Sequence, residues 1–350
     1  FDVKSQGAIL NNSSANVRTQ LGGWIEGNPW LATGSARIIL NEVNSSNPSL
    51  LQGYVEVAGS RAQVVIANPS GIACDGCGFF NASRATLTTG TPIVNSVNGG
   101  SLDGYRVQGG NITVSGTGFD ARGADFSEII ARAVKVNAGI WAQQLKVTAG
   151  ANEVNAAHTS ATPIAGTGAV PKVAIDVALL GGMYAGKIFL VGTEAGVGVH
   201  SAGSIGASAG ELVITANGRL ENTGSLTSTG ATQIDASAGI QNSGTIHAQG
   251  NTTLNTAGTI DNAATAKISG TTTRITAYTL NNRGLIDGLA TVIEIPSVNN
   301  LGTGKIYGDR VAINTTTLRN EAEAGAAPVI AARERLDIGA QTITNREHAV

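Results

Sequence analysis

Short stretches in the second half of the chain alternate apolar and polar residues, and Gly, Asn or Ser residues separate these stretches. This alternation is typical of β-strands with one buried face. An apolar-x-Asn motif recurs through the same region at spacings of 20, 20, 20, 18, 20 and 25 residues. Its asparagines are Asn222, Asn242, Asn262, Asn282, Asn300, Asn320 and Asn345. A period of this length predicts a repeat architecture.

Two further apolar series keep the same period. They are Ile214, Ile234, Leu254 and Ile275, and then Leu226, Ile246, Ile268, Ile286 and Ile306. Three short strands in about 20 residues predict one coil of a parallel β-helix. Coils stacked about 4.8 Å apart place equivalent side chains in columns, aliphatic inside and polar outside. Each repeated Asn fits either a turn with positive φ or an inward amide ladder between coils.

The first half carries the strand pattern less regularly. Strands are predicted at residues 110–114, 133–136, 145–148, 173–177 and 187–191. The polar, Gly- and Ala-rich segment 152–167 is predicted to be a loop that leaves the stack. Residues 1–100 lack the repeat, and we interpret them as a cap, because the open end of a solenoid exposes unpaired strand edges.

Composition narrows the possible functions. The net charge is −2 and charged residues make up 13% of the chain, whereas a nucleic-acid-binding domain carries a basic patch. A hydrophobic share of 42% also argues against intrinsic disorder. The most apolar stretch, residues 170–192, is interrupted by Lys172, Asp176 and Lys187. We therefore predict no membrane-spanning segment, since a span needs about 20 nearly uncharged residues.

The two cysteines, Cys74 and Cys77, lie in the sequence CDGC. A thioredoxin-like redox pair needs a βαβ context, which the pattern does not contain. A zinc site needs two further ligands, but the four histidines are scattered singly. A short-loop disulfide of a secreted protein is the favoured interpretation, and a pair of reduced thiols is the alternative. We predict no metal ion and no other cofactor.

Two Asn-Pro motifs stand apart from the repeat, NPWL at residues 28–31 and NPSG at residues 68–71. Asn-Pro starts a turn, because Pro fixes φ and the Asn side chain accepts local backbone hydrogen bonds. Gly71 adds a residue that tolerates positive φ. From these residues alone, both motifs are interpreted as tight turns.

Residues 27–90 resemble the secretion domain of two-partner secretion exoproteins. That family includes the filamentous haemagglutinin adhesins and the contact-dependent growth inhibition (CdiA-like) proteins. The resemblance rests on long runs, such as GNPWLATGSARIILNEV and ANPSGIACDGCGFF, rather than on one short pattern. It continues through residues 127–154 and 170–188, and the Asn-marked repeats after residue 210 look like the haemagglutinin repeats of the family.

The resemblance implies an all-β protein: a single right-handed parallel β-helix with an N-terminal β cap and extra-helical hairpins. We expect the secretion domain at residues 1–210, with the cap at about residues 1–100 and coils after it. Haemagglutinin-type repeats are then expected to continue the β-helix through residues 211–350. We also expect the chain to be a truncated N-terminal part of a larger exoprotein.

The resemblance also implies a partner and a destination. Family members cross the periplasm of a Gram-negative bacterium, and an outer-membrane Omp85-type transporter (TpsB/CdiB-like) recognises them through its POTRA domains. The expected product is a monomer at the bacterial surface or in the extracellular space. Neither a nucleic-acid partner nor an embedded membrane segment is expected.

The family's motifs Asn-Pro-Asn-Leu and Asn-Pro-Asn-Gly map onto residues 28–31 and 68–71. Both third positions depart from the family, because Trp30 and Ser70 stand where Asn is usual. The matching positions are Asn28, Pro29, Leu31, Asn68, Pro69 and Gly71. Two roles stay open for these residues, contact with the transporter or the shaping of turns.

Two alternative functions are compatible with a β-helix. A direct adhesin would use the outward Thr- and Asn-rich columns to bind a cell surface. A polysaccharide-degrading enzyme would need clustered carboxylates. Asp120, Asp125 and Glu128 come nearest to such a cluster, and we interpret them as part of a solvated loop. The sequence therefore favours a secretion-recognition domain without catalytic activity.

Overall fold

The computed structural model describes residues 1–31, 33–95 and 101–347. Within these ranges the chain forms β-strands and one short 3₁₀ helix, Pro29–Leu31. The all-β prediction is therefore confirmed. Contacts divide the chain into a first unit, residues 1–186 with 190–194, and a second unit, residues 187–189 with 195 onward.

The strands that end before residue 187 are β1 (Ala8–Asn12), β2 (Val17–Thr19), β3 (Gly23–Ile25), β4 (Ile38–Glu42), β5 (Ser49–Leu51), β6 (Tyr54–Gly59), β7 (Ala62–Ala67), β8 (Ile72–Phe80), β9 (Ala82–Thr88), β10 (Thr91–Asn95), β11 (Ser101–Val107), β12 (Asn111–Ala121), β13 (Ala124–Ala131), β14 (Ala133–Val136), β15 (Gly139–Ala142), β16 (Gln144–Ala149), β17 (Asn152–Asn155), β18 (Ala161–Pro163), β19 (Val173–Val177) and β20 (Gly182–Ala185).

The later strands are β21 (Lys187–Gly192), β22 (Gly198–Ser201), β23 (Ser204–Ala207), β24 (Leu212–Ala216), β25 (Leu220–Asn222), β26 (Ser225–Ser228), β27 (Thr232–Ala236), β28 (Ile240–Asn242), β29 (Thr245–Ala248), β30 (Thr252–Asn255), β31 (Thr259–Asn262), β32 (Lys267–Thr276), β33 (Thr279–Asn282), β34 (Leu285–Glu294), β35 (Ser297–Leu301), β36 (Lys305–Glu321) and β37 (Val329–Arg346).

Parallel pairing between coils builds the first unit. One of its faces contains β4, β7, β9, β13 and β16, paired in that order. On another face the side chains of β5, β8, β12, β14 and β19 form an inward column, each at most 1% exposed: Leu51, Cys74, Val114, Val136 and Val177. Parallel pairs thus form within residues 8–88, in the segment interpreted as a cap, and β2 and β3 add an antiparallel hairpin there.

A separate antiparallel sheet of β10, β11, β17 and β18 lies against these coils. Tyr105, Val107 and Val154 of this sheet pack with Val65 and Ile130 of the coil strands. These are the extra-helical strands that the resemblance implies. The prediction of a loop at residues 152–167 is wrong for β17 and β18, because their backbone groups pair with β11 and with each other.

The second unit consists of coils in close register. Leu220, Ile240, Ile260, Leu280, Val298 and Leu318 form one inward column. The series that begin at Ile214 and Leu226 form two more. All these side chains are at most 2% exposed. The predicted parallel β-helix is therefore confirmed, and each buried Leu or Ile contributes about 1.5–3 kcal/mol relative to an exposed one.

The repeated asparagines form an amide ladder inside this unit. From Asn222 to Asn345, each Nδ2 donates a hydrogen bond of 2.7–2.9 Å to the Oδ1 of the next Asn. A positive φ is not the reason for these asparagines. Outside glycine, the described residues adopt positive φ only at Asn81, His158 and Ala324. The repeated asparagines therefore form the inward amide ladder and not a series of turns with positive φ.

Candidate recognition site

The first Asn-Pro motif forms a turn that continues into the 3₁₀ helix. The Oδ1 atom of Asn28 accepts a hydrogen bond from the backbone N–H of Trp30 at 3.0 Å, and the N–H of Leu31 donates to the Asn28 carbonyl at 3.2 Å. The N–H of Asn28 donates in turn to the Ser13 carbonyl at 2.7 Å. Pro29 is exposed, and the Trp30 side chain is 91% exposed. This turn holds a large aromatic side chain in solvent.

The second motif repeats the local geometry in a buried setting. The Oδ1 atom of Asn68 accepts from the N–H of Ser70 at 2.9 Å, and the N–H of Gly71 donates to the Asn68 carbonyl at 3.0 Å. The Nδ2 atom of Asn68 donates to the Asn47 carbonyl and the Ser49 hydroxyl, both at 3.0 Å. Asn68 is fully buried, and Gly71 has a φ of +116°. An L side chain at Gly71 would be strained.

The two motifs therefore differ in what they offer to a partner. The Nδ2 and Oδ1 atoms of Asn68 both form hydrogen bonds within the first unit. Pro69 is the one exposed residue of that motif. In the first motif both Pro29 and Trp30 face solvent. Only the first motif presents an exposed aromatic side chain, and that side chain is Trp30, which stands where Asn is usual in the family.

A disulfide joins Cys74 and Cys77 on β8, with a Cα–Cα distance of 5.3 Å. Both cysteines are at most 2% exposed. Because both sulfur atoms are in the disulfide, neither cysteine offers a thiolate to a zinc ion. The bridge closes a very short loop, for which the gain in unfolded-state entropy is small. Its effect is to fix a turn a few residues after Gly71.

The three carboxylates that came nearest to a catalytic cluster have separate partners. Asp120 lies one residue before the end of β12, accepts a hydrogen bond from the Tyr54 hydroxyl at 2.9 Å, and has its pKa lowered mainly by hydrogen bonds from Arg122. Asp125 pairs with Arg61 at 2.7 Å in an exposed position. Both Asp125 and Glu128 lie on β13 rather than in a solvated loop, which corrects that expectation. Nothing in these contacts makes a catalytic pair.

The buried surroundings of Glu128 are a feature that the sequence did not reveal. Glu128 is 1% exposed, and its carboxylate contacts the Nδ1 atom of His158 and lies 3.7 Å from Arg84. Burial, and then the charge of Arg84, lower the pKa of His158 to about 3. The Tyr105 ring packs edge-on against the imidazole at 5.3 Å, and burial raises the pKa of Tyr105. A neutral His158 thus links the antiparallel sheet to a coil carboxylate.

The comparisons with known proteins decide the family. A model of the TPS secretion domain matches residues 1–222. The chain belongs to this family. Two of its relatives are the toxin CdiA of Yersinia pestis, 59% identical over 229 residues, and the tRNA nuclease CdiA-2 of Burkholderia pseudomallei (strain 1026b), 53% identical over 225 residues. These matches cover 65% and 64% of this chain but only 7% of each relative.

A solved structure supports the same assignment for the TPS domain. The crystal structure of the filamentous hemagglutinin secretion domain is 30% identical to this chain, with a TM-score of 0.54. The match covers 82% of this chain and 86% of that structure. The TPS secretion domain is a transport domain without catalysis. The words toxin and tRNA nuclease in the names of the relatives describe those whole proteins. This TPS domain matches only a small share of each of them.

No group of three or more His, Cys, Asp or Glu side chains in the described part of the TPS chain comes together as a metal site. No helix in that same part is long and apolar enough to cross a membrane.

Proposed function

We propose that this chain is the N-terminal secretion-recognition domain of a large exoprotein that reaches the bacterial surface or the extracellular space through the periplasm. Its partner is an outer-membrane Omp85-type transporter (TpsB/CdiB-like), which recognises it through POTRA domains. The match of the TPS secretion domain over residues 1–222 carries this proposal. The similarity to CdiA toxins supports a contact-dependent inhibition protein as the whole molecule.

We place the recognition contact at the first Asn-Pro motif. Asn28, Pro29 and Leu31 shape a turn whose tip carries the exposed Trp30 ring. Exposed aromatic side chains are favoured anchors at protein interfaces, because they bury a large area with few rotatable bonds. The second motif has a structural role in this proposal. Asn68 and Gly71 are buried, and Pro69 only completes their turn.

The transport mechanism follows from the coil structure. Once the folded turn at residues 28–31 has docked, the rest of the chain is still extended and offers its backbone hydrogen-bonding groups to a POTRA strand edge by strand addition. Outside the cell, each new coil of the second unit adds three aliphatic side chains to the inward columns and one rung to the amide ladder. Burial of about 1.5–3 kcal/mol per aliphatic side chain makes each coil costly to unfold. Folding outside therefore biases the movement outward.

The test measures secretion of the 350-residue chain, carried behind a signal peptide, in cells with and without the cognate transporter. Trp30→Ala should reduce the secreted amount without changing the melting temperature of the folded protein. Tyr278→Ala, which removes another exposed aromatic ring (67% exposed), is the matched control and should be secreted normally. Asn68→Ala should lower the melting temperature, because it leaves buried partners of its amide unpaired.

Binding to purified POTRA domains separates recognition from folding. The chain, diluted from denaturant, should be captured by the immobilised POTRA domains, and Trp30→Ala should weaken the capture. Equal secretion with and without the transporter would overturn the proposed function. Normal secretion of Trp30→Ala alone would overturn only the placement of the contact at the first motif.

A further inference from the structure

A groove runs along the outside of the second unit across five successive coils. It encloses about 810 Å³, and each coil contributes three consecutive residues, from 247–249 in the first coil to 331–333 in the last. With coils about 4.8 Å apart, the groove is about 20 Å long. Its elongated shape, with equivalent residues repeated in five coils, suits a short linear polymer with repeating units.

The backbone at the base of the groove turns too sharply for a side chain. A Cβ atom on Gly288 would lie 2.8 Å from the carbonyl oxygen of Ala290, and one on Gly308 would lie 2.9 Å from that of Arg310. Contacts this short with backbone would force the chain to move. Glycine at these two positions therefore allows the tight backbone bend at the base of the groove and leaves the base free of side chains.

Buried threonines hold one wall of the groove in place. In three successive coils, a fully buried Thr hydroxyl donates at 2.6–2.7 Å to the backbone carbonyl of a wall residue in the next coil. The pairs are Thr252 with Ser269, Thr273 with Asp287, and Thr291 with Tyr307. The wall is therefore fixed before any ligand arrives, which lowers the cost of binding.

The groove offers polar groups together with some apolar surface. Within the described residues, no side chain pairs with the carboxylate of Asp287, whereas Asp309 forms an ion pair with Arg333 at 2.6 Å. Leu289 is 58% exposed, and the partly exposed Tyr307 ring lies on the same lining. With Arg333 neutralised by Asp309, the carboxylate of Asp287 leaves the groove with a negative charge.

We propose that this groove binds a neutral oligosaccharide in an extended conformation along the coil stack. The coils repeat about every 4.8 Å along the groove, and an extended β-linked sugar chain advances by a similar distance per unit, so each unit meets about one coil. The Asp287 carboxylate accepts hydrogen bonds from sugar hydroxyls, and such charge-assisted bonds are strong. Tyr307 and Leu289 contact the apolar faces of the sugar rings. The negative charge of Asp287 disfavours anionic saccharides, most strongly at low salt. This binding is independent of transporter recognition.

The test uses the whole 350-residue chain and calorimetric titration with linear neutral hexasaccharides: maltohexaose, cellohexaose, xylohexaose and mannohexaose. A heparin-derived hexasaccharide is the anionic comparison. Asp287→Ala and Tyr307→Ala should each weaken binding about tenfold, equivalent to about 1.4 kcal/mol. Glu221→Ala removes an exposed carboxylate on another strand of the same unit and should bind like the parent chain.

Binding of at least one neutral hexasaccharide, with the loss in both groove variants and not in Glu221→Ala, supports the proposal. Three results overturn it. They are no binding of any neutral hexasaccharide up to about 10 mM, equal binding by the groove variants, or a preference for the heparin-derived sugar. Circular dichroism melting of every variant shows whether a loss of binding comes from a loss of folding.

Discussion

Ser201 and Asn222 are partners in the parallel register of adjacent coils, and the Ser201 hydroxyl and the Asn222 Oδ1 atom are both buried without a hydrogen-bond partner among the described residues. Each ladder amide donates toward the following coil, so the Oδ1 atom of Asn222 faces the preceding one. A serine side chain is too short to span the coil spacing of about 4.8 Å. The ladder therefore begins with an unpaired acceptor.

Replacing Ser201 with Asn should extend the ladder by one rung. The new Nδ2 would donate to Asn222, and one additional buried hydrogen bond should stabilise the fold by about 1 kcal/mol. Chemical denaturation of the 350-residue chain measures this change. Ser201→Ala is the control that removes the hydroxyl without adding a donor. A Ser201→Asn variant less stable than Ser201→Ala would contradict this account of the first rung.

Breaking the ladder in its middle should cost more than any outward substitution. Asn262→Ala leaves one N–H of the Asn242 amide and the Oδ1 acceptor of Asn282 without their ladder partners, and both side chains are buried. A loss of about 2–4 kcal/mol in the free energy of unfolding is expected. Asn281→Ala is the matched control, because Asn281 donates to Asp261 and accepts from Asn299 outside the core, where water can replace both partners, and its loss should stay below about 1 kcal/mol. Equal losses would show that the ladder adds no stability.

The coils of the second unit could be predicted from the sequence because their apolar residues and asparagines recur about every 20 residues. Leu220 and Ile240 share a column since the apolar-x-Asn motif repeats every 20 residues, and stacking turns that period into register. The inward amide ladder was one of two interpretations. The periodicity alone cannot separate them, because a turn and a ladder place Asn at the same interval.

The extra-helical sheet could not be predicted in the same way. β11 pairs with β17, a strand that follows about 50 residues later, and antiparallel pairing over that distance leaves no repeat in the sequence. His158 was one of four histidines without a pattern. Its burial against Glu128 and Tyr105 depends on this sheet, so the polar cluster became visible only with the fold.

Acid should destabilise the first unit through His158. The pKa of this imidazole falls from 6.5 in the unfolded chain to about 3 in the folded protein, because burial and then the nearby Arg84 disfavour its charged form more than the adjacent Glu128 carboxylate favours it. Between these values the unfolded chain binds more protons, so stability is lost as the pH falls from about 6.5 toward 3. The slope is about 1.4 kcal/mol per pH unit for one proton. Melting temperatures at several pH values measure it.

His158→Gln supplies the comparison for the acid effect. Glutamine does not titrate, so the melting temperature of this variant should fall less steeply below pH 6.5 than that of the parent chain. If His158→Gln follows the parent curve, His158 is protonated in the folded protein or other groups dominate the acid response.

A charge in an inward column should stop the growth of the coil stack. Ile234 is fully buried between Ile214 and Leu254, and an aspartate there would be a buried, unpaired charge that costs several kcal/mol. Under the proposed mechanism, Ile234→Asp should reduce the secreted chain and leave cell-associated material behind. Gln233→Asp adds the same charge one residue earlier on the exterior and should be secreted normally. Immunoblots of medium and cells give the ratio. Normal secretion of Ile234→Asp, with a lowered melting temperature, would separate coil folding from outward movement.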